Sequence, residues 1–316
     1  MKVDIIISIL NGADYIDEAV NSIIDQTYDN WQLFLLDNGS TDSTLQIIER
    51  YQKKYEEKIF VTSYEKNMKP SYRWMEKISN STSDVIAISC HDDIWKPNKL
   101  EEQIGAMKKY NADIVHTNID LIDSSGDLMK GKADKENNYR NSVNYSKMNS
   151  EELSNEFCIS NSIRLSSVLI KNNVFEKYGG WEKGIWGGED WGLWVKFAAS
   201  NCSFYHVKNS LVLRRVHFKN ASSSSGYDRS FGFVKALEIV RKRYPFLKNS
   251  VKVKENKVYE RIIVLTVKNR KYKTSREYSK FFLTKKGVSL RDVFFVLFAY
   301  SGILGNVALR IKDSFK

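Results

Sequence analysis

Short strand-like runs separated by helix-spaced segments constrain the fold of this chain more than any other feature. Val3 to Leu10, Trp31 to Leu36, Lys58 to Tyr64 and Val85 to Ile88 read as strands. Between them, Asp14 to Tyr28 carries Ile16, Val20, Ile23 and Ile24 at helical spacing. Thr41 or Asp42 can cap a second helix that runs through Leu45, Ile47 and Ile48 to about Tyr55, and Pro70 to Ile78 reads as a third. Alternation of this kind builds a parallel, right-handed βαβ sheet flanked by helices. Such sheets bind ligands beyond the carboxyl ends of their strands.

Polar turns follow three of these strands, so Asn11, Asp37 and the adjacent pair Asp92–Asp93 are expected on one edge. The paired acids end a buried run, and Pro97 then opens a helix continued by Lys99, Leu100 and Glu101. Crowded hard oxygen donors there suit Mg²⁺ or Mn²⁺ holding a diphosphate. The same acids would equally serve as caps of the following helix. No G-x-G-x-x-G follows the first strand and no G-x-x-x-x-G-K-[ST] occurs, so the dinucleotide and P-loop readings lose their main support.

Further along, Ala112 to Ile122 and Ser166 to Ile170 read as strands, and Ser124 to Ser150 as a long polar loop or insertion. A second acid pair, Glu189–Asp190, follows two glycines and opens a helical pattern. Acids in a first turn complement the helix dipole. Four tryptophans, Trp181, Trp186, Trp191 and Trp194, crowd this pair. Flat aromatic faces can stack on sugar rings, and an apolar wall raises a carboxylate towards general-base duty. Trp191 and Trp194 are also at the spacing of a buried helical face. The strand from Leu211 alternates Arg215 and His217 onto one face, where a guanidinium and an imidazole could meet a diphosphate or its metal.

Ser8 to Asn11, Asp37-Asn-Gly-Ser-Thr-Asp-Ser-Thr44, His91-Asp-Asp-Ile-Trp-Lys-Pro-Asn-Lys-Leu100, Gly188-Glu-Asp-Trp191 and Arg215-Val-His217 occur in that order. Together they resemble the family 2 inverting glycosyltransferases of the GT-A fold, over roughly Val3 to Ser222. The resemblance implies a mostly parallel central sheet flanked by helices, and a nucleotide-sugar donor, usually a UDP-sugar, held with Mn²⁺ or Mg²⁺. It assigns donor binding to Ser8, Leu10, Asn11, Asp37, Arg73, Asp92 and Arg215, and metal binding to Asp93 and His217. Asp190 matches the catalytic base, with Glu189 beside it, and Trp181, Trp186 and Trp191 are candidates for the acceptor. Three departures stand out: Cys90 replaces the first acid of the DXD motif, Leu10 stands where an aromatic often stacks on the base, and Arg73-Trp74 lies near the position of a common Arg.

Charge separates a body from a tail. From Arg241 to Lys316 there are 20 Lys and Arg against 5 Asp and Glu, while the first 240 residues hold 29 basic and 33 acidic side chains. A basic tail seeks an anionic surface. Nucleic acid is not the expected one, because no helix-turn-helix, zinc or RNA-binding signature accompanies the charge. Val293 to Leu309 is free of charge for about 17 residues between Arg291 and Arg310, at the lower limit for crossing a bilayer. An interfacial helix beside a polybasic patch fits an anionic leaflet. Docking on the catalytic domain or on a second copy, as a homo-oligomer, is the alternative.

The expected division is therefore a catalytic domain over 1–225 and a basic helical extension over 226–316. Three separated cysteines, Cys90, Cys158 and Cys202, point to a reducing compartment, and the strand pattern begins at once with no export signal. The expected location is cytoplasmic, peripheral at the inner face of the cell membrane, where a saccharide or lipid-linked acceptor would be met.

Overall fold

A computed structural model describes residues 1–160, 162–185, 187–217 and 226–268. The chain divides into two compact units. The first comprises Met1–Phe157, Asn161–Trp181 and Leu193–Phe218, and the second Cys158–Ser160, Glu182–Gly192 and Lys219–Lys316.

The first unit is built on an eight-stranded sheet. Its strands are β1 (Val3–Ile9), β2 (Trp31–Asp37), β3 (Ile59–Ser63), β4 (Val85–Ser89), β5 (Ile94–Trp95), β6 (Ile114–Ile122), β7 (Val168–Lys171) and β8 (Phe204–Arg215), in the order β3-β2-β1-β4-β7-β6-β8-β5. β3, β2, β1 and β4 run parallel, as the alternating pattern requires. The crossovers are α1 (Ile16–Ile24), α2 (Thr44–Lys54) and α3 (Pro70–Ser79). Beyond β4 the sheet becomes mixed, since β7 inserts antiparallel to both β4 and β6, and β5 lies antiparallel on β8. The sheet is thus less uniformly parallel than the first four strands suggest.

Register brings the carboxyl ends of the parallel strands level. Ile9 pairs with Asp37, and Ile7 pairs with Ser89. One face of the sheet buries Val3, Ile5, Ile7, Leu33, Leu35 and Val85 against Ile16, Val20 and Ile23 of α1. Removing these side chains from water is the main stabilising term, about 1.5–3 kcal/mol for each fully buried aliphatic residue. Helix α4 (Lys99–Tyr110) adds Leu100, Ile104 and Met107 to the same core.

The polar segment after β6 is not a loop throughout. It contains α5 (Asp134–Ser142) and a 3-10 turn at Tyr145–Lys147, followed by α6 (Ser150–Ile159). Arg140 is fully buried, and its guanidinium bonds the Ser162 carbonyl, Asn137 and Glu136 (2.5, 2.5 and 2.9 Å). A buried cation, hydrogen-bonded through all three of its nitrogens, helps to organise a stretch that is mostly polar. Next come α7 (Asn172–Tyr178) and α8 (Glu189–Ala199).

In the second unit, α9 (Gly226–Arg243) and α10 (Lys248–Lys268) pack together, burying Ala236, Leu237, Val240, Val251, Val258 and Ile262. Arg241 pairs with the buried Glu255 at 2.7 Å. No helix among the described residues is long and apolar enough to cross a membrane. The uncharged stretch from Val293 to Leu309 lies outside the described residues, as does Trp186.

Candidate active site

The edge of the first unit is assembled from strand ends that are laced to one another. After β1, Asn11 takes a left-handed conformation (φ 50°) and its side chain accepts the Thr41 backbone N–H at 2.8 Å, while its own N–H donates to Ser40 Oγ at 2.9 Å. Gly12 donates to Thr44 Oγ1 at 2.9 Å, so the turns after β1 and β2 are fixed as a pair. A Cβ on Gly12 would come within 2.7 Å of the His91 ring, which is why the third turn can approach so closely. Asp37, only 2% exposed, accepts from the Ser40 N–H and from the Ser63 hydroxyl. Ser8 lies near the end of β1, and its hydroxyl oxygen is buried without a hydrogen-bond partner among the described residues. Leu10 is 37% exposed, an apolar residue held out at the edge.

Asp92 and Asp93 are buried and individually pinned. His217 Nε2 lies 3.0 Å from Asp92 Oδ2. The Ser166 hydroxyl donates to Asp93 Oδ2 at 2.5 Å, and the Arg215 N–H donates to Asp93 Oδ1 at 3.2 Å. Ser166 Oγ also accepts from the Cys90 N–H at 3.3 Å. The fully buried Arg215 guanidinium reaches the Asp92 carbonyl at 3.3 Å and Glu18 at 2.9 Å, and stacks over Tyr15. β8 therefore closes the turn after β4 from the far side of the sheet order, through contacts about 120 residues apart in sequence.

Burial first, and the charge of Asp92 second, push the Asp93 carboxyl up to about 7. Two carboxylates and the Cys90 sulfur present donor atoms within 4.8 Å of one another. Oxygen donors dominate the set, and the mutual repulsion of the acids is what a divalent cation would relieve. The residues present therefore fit Mg²⁺ or Mn²⁺, with Asp92 and Asp93 as the acids that would hold it and His217 alongside.

Arg73 stands behind this edge. Its guanidinium bonds Asn38 Oδ1 at 3.3 Å, the Lys66 carbonyl at 3.0 Å and Glu76 at 3.3 Å, and it stacks on Tyr64. It braces the turn after β2 against the loop before α3, with Asn38 in turn held to Asn67 and Met68.

Glu189 and Asp190 begin α8, both half-buried. Glu189 Oε2 accepts the Gly187 N–H at 2.5 Å, a carboxylate at a helix start. Gly187 and Gly188 have φ of 100° and 74°, and a Cβ on Gly187 would lie 2.0 Å from the Arg229 carbonyl oxygen. The two glycines are thus required both by conformation and by the close approach of α9.

Two of the tryptophans do not offer the stacking faces expected of them. Trp191 is fully buried, packs against Phe233 and donates its indole N–H to the Cys158 carbonyl at 3.1 Å. Trp181 is 7% exposed, between Trp74 and Phe175. Both are packing residues: Trp74 and Phe175 cover the Trp181 ring, and Phe233 covers that of Trp191. Ser166 is the site residue that the sequence did not reveal, since nothing near it signals contact with an acid 73 positions earlier.

The sequence description "Glycosyl transferase family 2" matches residues 4–171. That is more than half of the chain, and the chain belongs to this family. Among curated relatives, a Bacillus subtilis protein, TuaG, whose name assigns it to teichuronic acid biosynthesis as a glycosyltransferase, is 30% identical over 39% of this chain and 49% of its own. The chain spans between 45% and 66% of the length of the first curated relatives it matches. Among solved structures, Staphylococcus aureus TarS (residues 1–349) in complex with UDP-GlcNAc superposes with a TM-score of 0.59 at 15% identity, covering 95% of this chain and 79% of that one. The mannosyltransferase PcManGT of Pyrobaculum calidifontis, in complex with GDP-Man and Mn²⁺, gives a TM-score of 0.61 at 13% identity, with 95% and 79% covered. The fold is the GT-A glycosyltransferase fold, followed by a helical C-terminal region.

Proposed function

We propose that this chain is an inverting glycosyltransferase that moves a sugar from a nucleoside diphosphate, UDP by preference, to a saccharide or lipid-linked saccharide acceptor. The observation that carries this reading is the level edge formed by Asn11, Asp37 and the pinned Asp92–Asp93 pair at the carboxyl ends of three adjacent strands. Family membership supports the reaction class, and the nucleotide-sugars bound by TarS and PcManGT support the donor class.

In this reading Asp37 accepts hydrogen bonds from the base or ribose, with Ser8, Leu10 and Asn11 lining the same edge. Asp92, Asp93 and His217 hold the divalent cation, which supplies neutralisation of the charge that builds on the leaving diphosphate. Arg215 holds the Asp92–Asp93 turn in place, and Arg73 supports the donor edge from behind. Asp190 takes the proton of the acceptor hydroxyl as general base, with Glu189 fixing the start of its helix. Attack by that hydroxyl from the side opposite the leaving group inverts the anomeric carbon.

The acceptor belongs by this reading to surface polysaccharide synthesis, supported by the name of TuaG. The basic C-terminal region, 226–316, brings the catalytic domain, 1–225, to the inner face of the cell membrane. Lys242, Arg243, Lys248, Lys252 and Lys257 are exposed on α9, the turn that follows it and α10, and would meet anionic lipid. Turnover assays with UDP-, GDP- and dTDP-sugars, with and without Mn²⁺, test the proposal. Metal-dependent release of nucleoside diphosphate from one class supports it, and no release from any of them contradicts it.

A further inference from the structure

The donor edge differs from an all-oxygen cation site in one respect, the thiol of Cys90. Its sulfur and one oxygen each from Asp92 and Asp93 lie within 4.8 Å of one another. That is a small adjustment from the donor spacing around a single four-coordinate ion, whose bonds run about 2.0–2.3 Å. All three residues are held from outside the cluster: Cys90 through its N–H to Ser166, Asp93 through Ser166 and Arg215, and Asp92 through His217. The two aspartates are 8% and 5% exposed, so this is an interior arrangement and not a loose acidic surface. His217 contributes an imidazole nitrogen 3.0 Å from Asp92.

One sulfur and two carboxylates make a mixed hard and soft set, with the His217 imidazole bonded to one of the acids. Magnesium demands near-octahedral oxygen and keeps its waters, whereas a thiolate ligand favours zinc and cadmium. We propose that Cys90 is a cation ligand and turns this site towards thiophilic divalent ions, zinc and cadmium, over magnesium. On binding, the sulfur–metal bond forms as the S–H bond breaks, and the proton passes to solvent. Zinc then competes for the seat that donor binding uses, with manganese intermediate and magnesium weakest. The inference rests on reading the Asp92–Asp93 turn as the cation seat.

Cadmium titration of the full chain tests it, followed by the sulfur-to-cadmium charge-transfer absorption in the near ultraviolet. The wild-type chain, Cys158→Ser and Cys202→Ser are expected to develop the band to one equivalent. Cys90→Ser and Cys90→Asp are titrated in parallel, so that either folded variant decides, and both are expected to lose it. A band that persists in a folded Cys90 variant, or its absence from wild type, overturns the proposal. Calorimetric titration of UDP in Mn²⁺ on the same samples separates the two ideas. Metal-supported UDP binding without a cadmium band sinks the cysteine ligand alone. A Cys90-dependent cadmium band without UDP binding sinks the donor reading alone.

Discussion

Two pairs of adjacent acids, Asp92–Asp93 and Glu189–Asp190, have nearly the same chemistry and opposite surroundings. The first pair is buried, and its carboxylates are hydrogen-bonded by Ser166, the Arg215 backbone and His217. The second begins a helix behind two left-handed glycines and remains half-buried, with Glu189 turned back on the Gly187 N–H. Fixed, crowded carboxylates suit a cation, because the repulsion between them is relieved only by positive charge. A carboxylate at a helix start is favoured in its charged form by the helix dipole, which suits a group proposed to act as a base. The difference lies in packing, not in residue type.

Mutations can break this contrast, and the largest effect is expected at the second pair. Asp190→Asn should lower transfer by about 10²–10⁴-fold, the range of a lost general base, with UDP affinity unchanged. Single-turnover kinetics beside a UDP titration check it, and wild-type turnover in that variant would remove Asp190 from the base role. Next, Trp191→Ala should destabilise the fold by about 3–5 kcal/mol, measured by urea unfolding, because a fully buried indole leaves a cavity behind. A loss of acceptor affinity with no loss of stability would restore Trp191 as a stacking platform.

The first pair makes a prediction about pH. A carboxyl pushed up to about 7 by burial binds its proton more tightly in the folded chain than in the unfolded one. Its contribution is therefore present below the ordinary aspartate range and is lost as pH rises towards 7. Without added metal, thermal stability should fall across that window, and Asp93→Asn should flatten the fall. Metal affinity should run the other way, weakening as pH drops below 7, because the ligand must be deprotonated. The smallest effect is expected at Ser166→Ala, which leaves both acids in place and the Arg215 N–H on Asp93 Oδ1, but removes the hydroxyl from Asp93 Oδ2. Manganese affinity should drop about 10–100-fold, the cost of losing an outer support, measured by calorimetry.

How much of this was legible follows from distance along the chain. The strand ends announced themselves because an apolar run gives way to polar residues at Asn11, at Asp37 and from Ser89 to Asp92, and local sequence decides each turn. Arg215 and His217 could be placed on one face by alternation alone. The partner of Asp93 could not, since Ser166 reaches it only after β7 inserts antiparallel beside β4. The polar stretch after β6 looked like a loop because its organising residue is a buried cation, Arg140, not an apolar stripe. Trp191 was ambiguous for a related reason: helical spacing marks a face, but only Phe233, on a helix not yet formed in sequence terms, determines whether that face is covered.

The claim on which the rest depends is that Asp93 helps to hold the cation that holds the donor. Titration of UDP into the full chain in Mn²⁺, compared among wild type, Asp93→Ala and Asp190→Asn, measures it directly. Binding is expected in wild type and Asp190→Asn and should be lost in folded Asp93→Ala. UDP binding by Asp93→Ala at wild-type affinity, with the same dependence on manganese, would contradict the account.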